Sequence, residues 1–281
     1  MKFTFNKQFM VLMFLLLNCF ASYAANEDLI TKQITIKLTE AGTLPDKIGR
    51  SKMDLVTSLK IIGEINGTDL RFIREMAGRD VEGYRTSGNL SVLDLSEARF
   101  VAGGDYYYKG YGDGCYTSND IIGEHAFSGC SSLTSVNIPS SVTSIEWYSF
   151  GDCSSLTSVN IPSSVTSIEK RAFSGCSGLR AIYVFAETVP SIGASAFKGC
   201  DSENCTLYVP KGTYDSYWSS EWGYFDNIVE FDATNIRNIV AEPEVQETAR
   251  YAVNGQRLTA PVKGINLVKY NNGRVKKEIV K

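Results

Sequence analysis

The sequence predicts a solenoid of stacked coils, mostly β with short helical turns and about 23 residues per coil, followed by a small C-terminal β domain. Three observations carry this expectation. The stretch Ile122-Gly-Glu-His-Ala-Phe127-Ser-Gly-Cys130-Ser-Ser-Leu133-Thr-Ser-Val136-Asn-Ile138-Pro139 recurs from Ile145 and again from Ile168, and a more diverged copy follows. Phe127, Phe150, Phe173 and Phe197 are spaced 23, 23 and 24 residues apart, as are Cys130, Cys153, Cys176 and Cys200. The last forty or so residues change character, with alternating apolar residues around Asn254-Gly255 and Asn272-Gly273, the dipeptides of tight hairpin turns.

Within a coil the inward set is Ile122, Phe127, Cys130, Leu133, Val136, Ile138 and Val142, repeated 23 residues on. Val136-Asn-Ile138 alternates, as a strand with one buried face should. Pro139, Pro162 and Pro210 close the strands because proline lacks the N–H of a ladder. Gly129, Asp152, Gly175 and Gly199 precede the marker cysteines, which marks a left-handed turn position. Each coil then reads as strand, tight turn, short second extended stretch and a compact Ala-Phe helical turn.

The flanks are less regular. Residues 25–42 form a lead-in strand, and residues 43–231 the solenoid, whose irregular first coils cover its end. Gly67-Thr68-Asp69 caps a helix carrying Leu70, Ile73 and Met76. Val101 to Asp120 reads as a loop rich in glycine and tyrosine. Tyr214, Tyr217, Trp218, Trp222, Tyr224 and Phe225 supply the aromatic area for the far end. Residues 232–244 read as a linker and residues 245–281 as the β-hairpin tail.

The start of the chain sets the compartment. Lys2 and Lys7 precede the apolar run Phe9 to Leu17, and Ser22-Tyr23-Ala24 has the small residues of a cleavage site, so residues 1–24 read as a secretory signal. Leu16-Leu17-Asn18-Cys19 is an alternative lipid-attachment site, with Asn18 larger than the usual neighbour. No later segment is apolar enough for a transmembrane helix. Of the six cysteines beyond the signal, the four in register read as small buried hydrophobes rather than disulfide partners. A serine there would bring a hydroxyl in need of a partner, so alanine is expected to be the milder change. Cys115 and Cys205 stay open.

Chemistry is sparse. His125 is the only histidine and aligns with Tyr148, Arg171 and Ser195, a variable position that reads as solvent-facing rather than catalytic. The cysteines have no zinc spacing, and Asp113, Asp120, Asp201 and Glu203 match no calcium loop. A formal net charge of −3 gives no basic footprint for nucleic acid. No enzyme, cofactor or metal site is expected. The candidate surface is the outward ladder Thr134, Ser135, Asn137, Thr157, Ser158 and Asn160, which changes to Arg180, Tyr183 and Tyr208 at its end. A second candidate is the loop with Tyr106, Tyr107, Tyr108, Tyr111 and Tyr116.

The repeat Ala-Phe-Ser-Gly-Cys-Ser-Ser-Leu-Thr-Ser-Val-Asn-Ile-Pro resembles the BspA-like leucine-rich repeats of bacterial surface proteins, from Leu90 to Val209. Leu207-Tyr-Val-Pro-Lys-Gly212 resembles the closing segment that often follows such repeats. Tyr251-Ala-Val-Asn-Gly-Gln256, Gly264-Ile-Asn-Leu-Val and Val275-Lys-Lys-Glu-Ile-Val are similar to type IX secretion sorting tails, which are generally longer. The resemblance implies a leucine-rich-repeat solenoid exported by a Gram-negative, Bacteroides-like bacterium and held at its surface or outer membrane, or secreted. It implies adhesion to a host extracellular-matrix or bacterial surface protein, or to a glycan. The alternative is a structural spacer of the envelope without a dedicated ligand. Anchoring through Cys19 or through the tail stays open.

Overall fold

The computed structural model describes residues 29–110, 112–232, 247–252, 255–258, 260–270 and 275–280. The signal, Cys19, Tyr111, nearly all of the expected linker and the turn residues Asn254, Asn272 and Gly273 lie outside these residues. The chain divides into two compact units, the first ending at Phe231 and the second beginning at Asp232.

The first unit is a solenoid built around an eight-stranded sheet. Its strands are β1 (Ile34–Lys37), β2 (Ser58–Ile65), β3 (Val92–Phe100), β7 (Ser135–Asn137), β9 (Ser158–Ile161), β11 (Ala181–Val184), β13 (Thr206–Pro210) and β14 (Asn227–Phe231), in that order and all parallel. The sheet therefore takes in the lead-in strand as well as the irregular first coils. A second parallel sheet runs beside the core through β6 (Ile121–Ile122), β8 (Ser144–Ile145), β10 (Ser167–Ile168) and β12 (Ser191–Ile192). Between the sheets Leu133, Val136, Ile138, Val142 and Ile145 are buried with their counterparts, and apolar burial drives the stacking.

The third side of each coil is a hydrogen-bonded turn, not the helical turn expected. His125, Tyr148, Arg171 and Ser195 have φ of 56°, 53°, 58° and 60°, and a left-handed residue ends any helix at that point. The left-handed position before the marker cysteine is present as expected, with Asp152 at 58° among glycines. Alternate N–H groups of the turn have different partners. Those of Ala126, Ser128 and Cys130 bond within the turn, to Gly123, His125 and Phe127. Those of His125, Phe127 and Gly129 bond to Trp147, Ser149 and Gly151 of the next coil. Under this ladder the marker phenylalanines stack with centroids 5.0, 4.9 and 5.2 Å apart and nearly parallel rings.

The marker cysteines are buried and free. They also do something the sequence reading missed. The thiols of Cys153 and Cys176 donate to the carbonyls of Phe127 and Phe150 in the preceding coil, each at 3.0 Å, and Cys200 donates to Phe173 at 3.4 Å. Burial pushes the Cys130 thiol up to about 12. Burial also holds Cys153 well above its ordinary value, so it stays a protonated donor at neutral pH. Cys205, outside the register, is buried in the same core.

The first coil has no repeat above it, and side chains stand in. The helix Gly67–Met76 is capped by Asn66, not by the residues after it; Asn66 Oδ1 accepts from Thr68, and Asp69 at the third position accepts from Asn66 N, Gly42 N and Leu44 N. From its last turn the buried Arg74 donates to the carbonyls of His125 and Ala126, at 2.6 and 3.1 Å. Tyr107 donates to Glu124 at 2.8 Å. Ala126 and Glu124 correspond to Ser149 and Trp147, which receive main-chain N–H groups one coil later. Tyr107 and its neighbours are not in a loop but in a hairpin, β4 (Gly103–Tyr108) with β5 (Cys115–Thr117), because the tyrosine-rich strand pairs back and packs on the helix. At the other end Tyr217 donates to Ala186, Trp222 Nε1 to Pro190 and Tyr224 to Cys200, while the rings of Trp222 and Phe225 lie about 5 Å from Phe197.

The second unit is a four-stranded antiparallel sheet, β16 (Arg257–Leu258), β15 (Glu247–Ala252), β17 (Gly264–Tyr270) and β18 (Val275–Val280), in that order. Gly255 N donates to Ala252 and Gln256 accepts from it, closing the first hairpin. Asn266 is buried and bonds the chain at Val262 and Gly264.

Two stability outcomes follow from this stack. Arg74→Ala strands the buried Ala126 carbonyl, takes one donor from that of His125 and removes a filled volume, and should lower unfolding free energy by about 3–5 kcal/mol in urea titration; a loss under about 1 kcal/mol would show that the first coil needs no such cap. Cys153→Ser keeps a donor for Phe127, which reverses the order expected from sequence. It should cost less than Cys153→Ala, measured as unfolding midpoints of the two variants side by side.

Candidate functional site

The outer face of the eight-stranded sheet is laid out by register. One outward row runs Thr35, Lys60, Asp94, Asn137, Asn160, Tyr183, Tyr208 and Val229, each the direct partner of the next. Its early end is charged. Lys60 Nζ lies 2.7 Å from Glu97 and 3.4 Å from Asp94, and its hydrogen bond to Glu97 raises the ammonium above its ordinary value. Burial pushes the Asp94 carboxyl up, but bonds from Ser96, the charge of Lys60 and the Asn137 amide outweigh it and hold the group low. The middle is amide, with Asn160 Nδ2 donating to Asn137 Oδ1 at 2.6 Å.

The late end is aromatic. Tyr183 and Tyr208 stack with centroids 4.4 Å apart and rings 9° from parallel. Phe231 meets Tyr183 edge-on at 6.4 Å and Phe185 at 5.4 Å. Val229 is exposed beside Tyr208. Burial, and then the neighbouring Tyr208, raise the Tyr183 hydroxyl above its ordinary value, so it is a neutral donor and acceptor at physiological pH. Phe185, Val229 and Phe231 were not among the sequence candidates. Phe185 breaks the proline position of the repeat, and that departure was the available signal; Val229 and Phe231 come from a strand outside the repeat register.

Other candidates have different positions. Thr134 and Thr157 precede their strands, and their hydroxyls donate to the carbonyls of Ser91 and Thr134 one coil earlier. They tie successive coils together. Ser158 reaches Ser135 at 3.4 Å. Arg180 is exposed but folds back on the carbonyls of Ser177 and Leu179. The tyrosine hairpin divides: Tyr107 is buried, Tyr106 and Tyr108 are half-buried, and Tyr116 is exposed. Tyr108 is covered by the Arg74 guanidinium, 5.1 Å from its centroid.

His125 does not face solvent as its alignment implied. Its left-handed backbone turns the half-buried ring between Tyr108, stacked at 4.5 Å, and Trp147, edge-on at 4.7 Å, with Tyr148 at 5.3 Å. Burial, and then the charge of Arg74, push its pKa down to about 4. Among the described residues no group of His, Cys, Asp and Glu could hold a metal ion, and no helix is long and apolar enough to cross a membrane.

Coils of fixed length, a parallel sheet on one side and turns on the other define a leucine-rich-repeat-like solenoid. Residues 116–215 match the family model described as "BspA type Leucine rich repeat region", in six copies, so this segment is similar to that family's repeats. The match spans about a third of the chain. No curated protein matches.

The neutral ring of His125 has a measurable consequence. Its folded value lies below the ordinary 6.5, so the stability it contributes is complete above that pH and is lost as pH falls toward about 4. The single imidazole resonance in proton NMR should titrate near the lower value; a midpoint at the ordinary one would place the ring in solvent.

Proposed function

We propose that this chain is an exported, non-enzymatic attachment module that holds a protein or glycan partner on the outer face of its eight-stranded sheet, centred on Tyr183 and Tyr208. BspA-like repeats are typically protein-binding surface modules, and the segment over residues 116–215 resembles them. The observation that carries the reading is the aromatic end of the outward row. Another Thr-Ser-Asn set would have satisfied stacking there, yet the coil presents Tyr183, Tyr208, Phe185 and Phe231 together. Aromatic residues dominate binding energy when a contact desolvates them. The partner is a host extracellular-matrix protein, a bacterial surface protein or a surface glycan. The N-terminal signal would bring the chain to the cell surface of a Gram-negative, Bacteroides-like bacterium, with Cys19 or the C-terminal tail as the anchor.

One observation favours the spacer alternative for the early coils. The Thr134, Thr157, Ser158 and Asn160 side chains bond to neighbouring coils, which solubilises and stiffens the sheet without a ligand. The two readings separate in a single experiment on intact cells, scoring protease accessibility of the chain and adhesion to immobilised matrix proteins and to other bacteria. The Tyr183→Ser, Tyr208→Ser double variant should remain surface-accessible and fold normally, yet weaken adhesion by more than about 1 kcal/mol. Unchanged adhesion with a folded variant removes the sheet face from the function.

A further inference from the structure

The turn ladder of the solenoid is closed at one end and open at the other. In the second coil the N–H groups of Phe150 and Asp152 meet the carbonyls of Ala172 and Ser174; in the third, those of Phe173 and Gly175 meet Ala196 and Lys198. In the fourth coil the bonds within the turn persist, from Ala196 to Gly193, Lys198 to Ser195 and Cys200 to Phe197. The N–H groups of Phe197 and Gly199, which continue the ladder, meet no acceptor among the described residues. Both residues line a cleft of about 550 Å³, with Ser195, Lys198, Glu221 and Tyr224 also in its wall. The aromatic residues that close this end pack on the Phe197 ring and bond the Ala186, Pro190 and Cys200 carbonyls, and these contacts bring no acceptor to the two donors.

We propose that this cleft binds the main chain of a partner polypeptide, which supplies the two carbonyls that a next coil would have supplied. Unpaired main-chain donors are a standing demand for acceptors, and an added segment meets it as a strand does at a sheet edge. The receptor pattern selects the ligand class. In every earlier coil the two N–H groups meet separate carbonyls on residues two apart, a spacing that a polypeptide repeats and that the paired oxygens of a single carboxylate do not. The wall carries Lys198 and Glu221 together, so net charge favours neither a free anion nor a cation. A second copy of the chain stacking end to end is disfavoured, because of the two carbonyls it would offer, those of Ala126 and Ser128, the first is already taken by the buried Arg74. The cleft shares no residue with the aromatic sheet face, so this inference does not depend on the preceding one.

The test uses the isotope-labelled full chain and hydrogen exchange. In the free protein the Phe197 and Gly199 amides should exchange at least about tenfold faster than those of Phe173 and Gly175. A displayed library of short random peptides is then panned on the chain and counter-selected on Ala194→Trp, which fills the cleft from an exposed position. Lys198→Trp, also exposed, serves as the second variant should the first fold poorly. The expected result is peptides that bind the native chain and the Tyr183→Ser, Tyr208→Ser variant alike, lose binding to the filled cleft, and slow exchange at Phe197 and Gly199. Three results overturn the proposal: both amides already protected in the free chain, meaning a segment of the protein itself occupies the ladder; both protected by acetate or inorganic phosphate alone, meaning a simple anion site; or no peptide that distinguishes the native from the filled cleft.

Discussion

Every coil of this solenoid depends on handing its spare main-chain groups to the next. A buried peptide N–H or carbonyl without a partner costs on the order of 1–3 kcal/mol, so a stack survives only if each side of each coil continues a ladder. Two sides do this with parallel strands. The third does it with turns whose N–H groups alternate between their own turn and the neighbour. That alternation bends the chain so sharply that His125, Tyr148, Arg171 and Ser195 adopt left-handed conformations. Such residues usually carry a conformational cost of about 1–2 kcal/mol. Satisfying the ladder on every coil offsets it.

The same demand explains the two ends. Above the first coil, a helix and a hairpin deliver Arg74 and Tyr107 to carbonyls that have no coil above them. Among the described residues the buried Arg74 has no acidic partner, but its guanidinium donates to the His125 and Ala126 carbonyls and lies over the Tyr108 ring. The His125 environment is a by-product of this cap, since the ring is packed beside Tyr108 under the influence of the same cation. Past the last coil the closing aromatics satisfy carbonyls and cover the Phe197 ring, but they bring no acceptors to the Phe197 and Gly199 donors.

On the sheet side, stacking has a different effect. It turns a position in a repeat into a row on a surface, so the composition of the row reads out the history of departures from the repeat. Where the repeat holds, Asn137 and Asn160 bond each other and the surface is self-contained. Where it departs, Tyr183 and Tyr208 stack on each other as half-exposed rings. The change from self-satisfied amides to aromatic rings occurs within one strand spacing of about 4.8 Å, and it defines where the polar surface gives way to an aromatic one.

Much of the architecture was legible in the chain. Identical phenylalanines, cysteines and leucines at a constant period can only fall on one inward stripe, because a coil that repeats its length repeats its geometry. The strand alternation at Val136-Asn-Ile138 and the tyrosines at the end of the ladder were legible for the same reason. What lay outside the period was not. The pairing of β1 to β3 with the repeat strands, the hairpin carrying Tyr107, and the places of Val229 and Phe231 beside Tyr183 and Tyr208 come from segments whose spacing says nothing about their neighbours. Nor did residue type reveal direction: His125 sat at a variable position yet turned into an aromatic cluster, and Thr134 and Thr157 looked like surface donors yet bond to the coil before them. Periodicity determines which residues share a face. Only the folded stack decides which main-chain groups remain unpaired at its ends, because that depends on what the non-repeating segments bring to them.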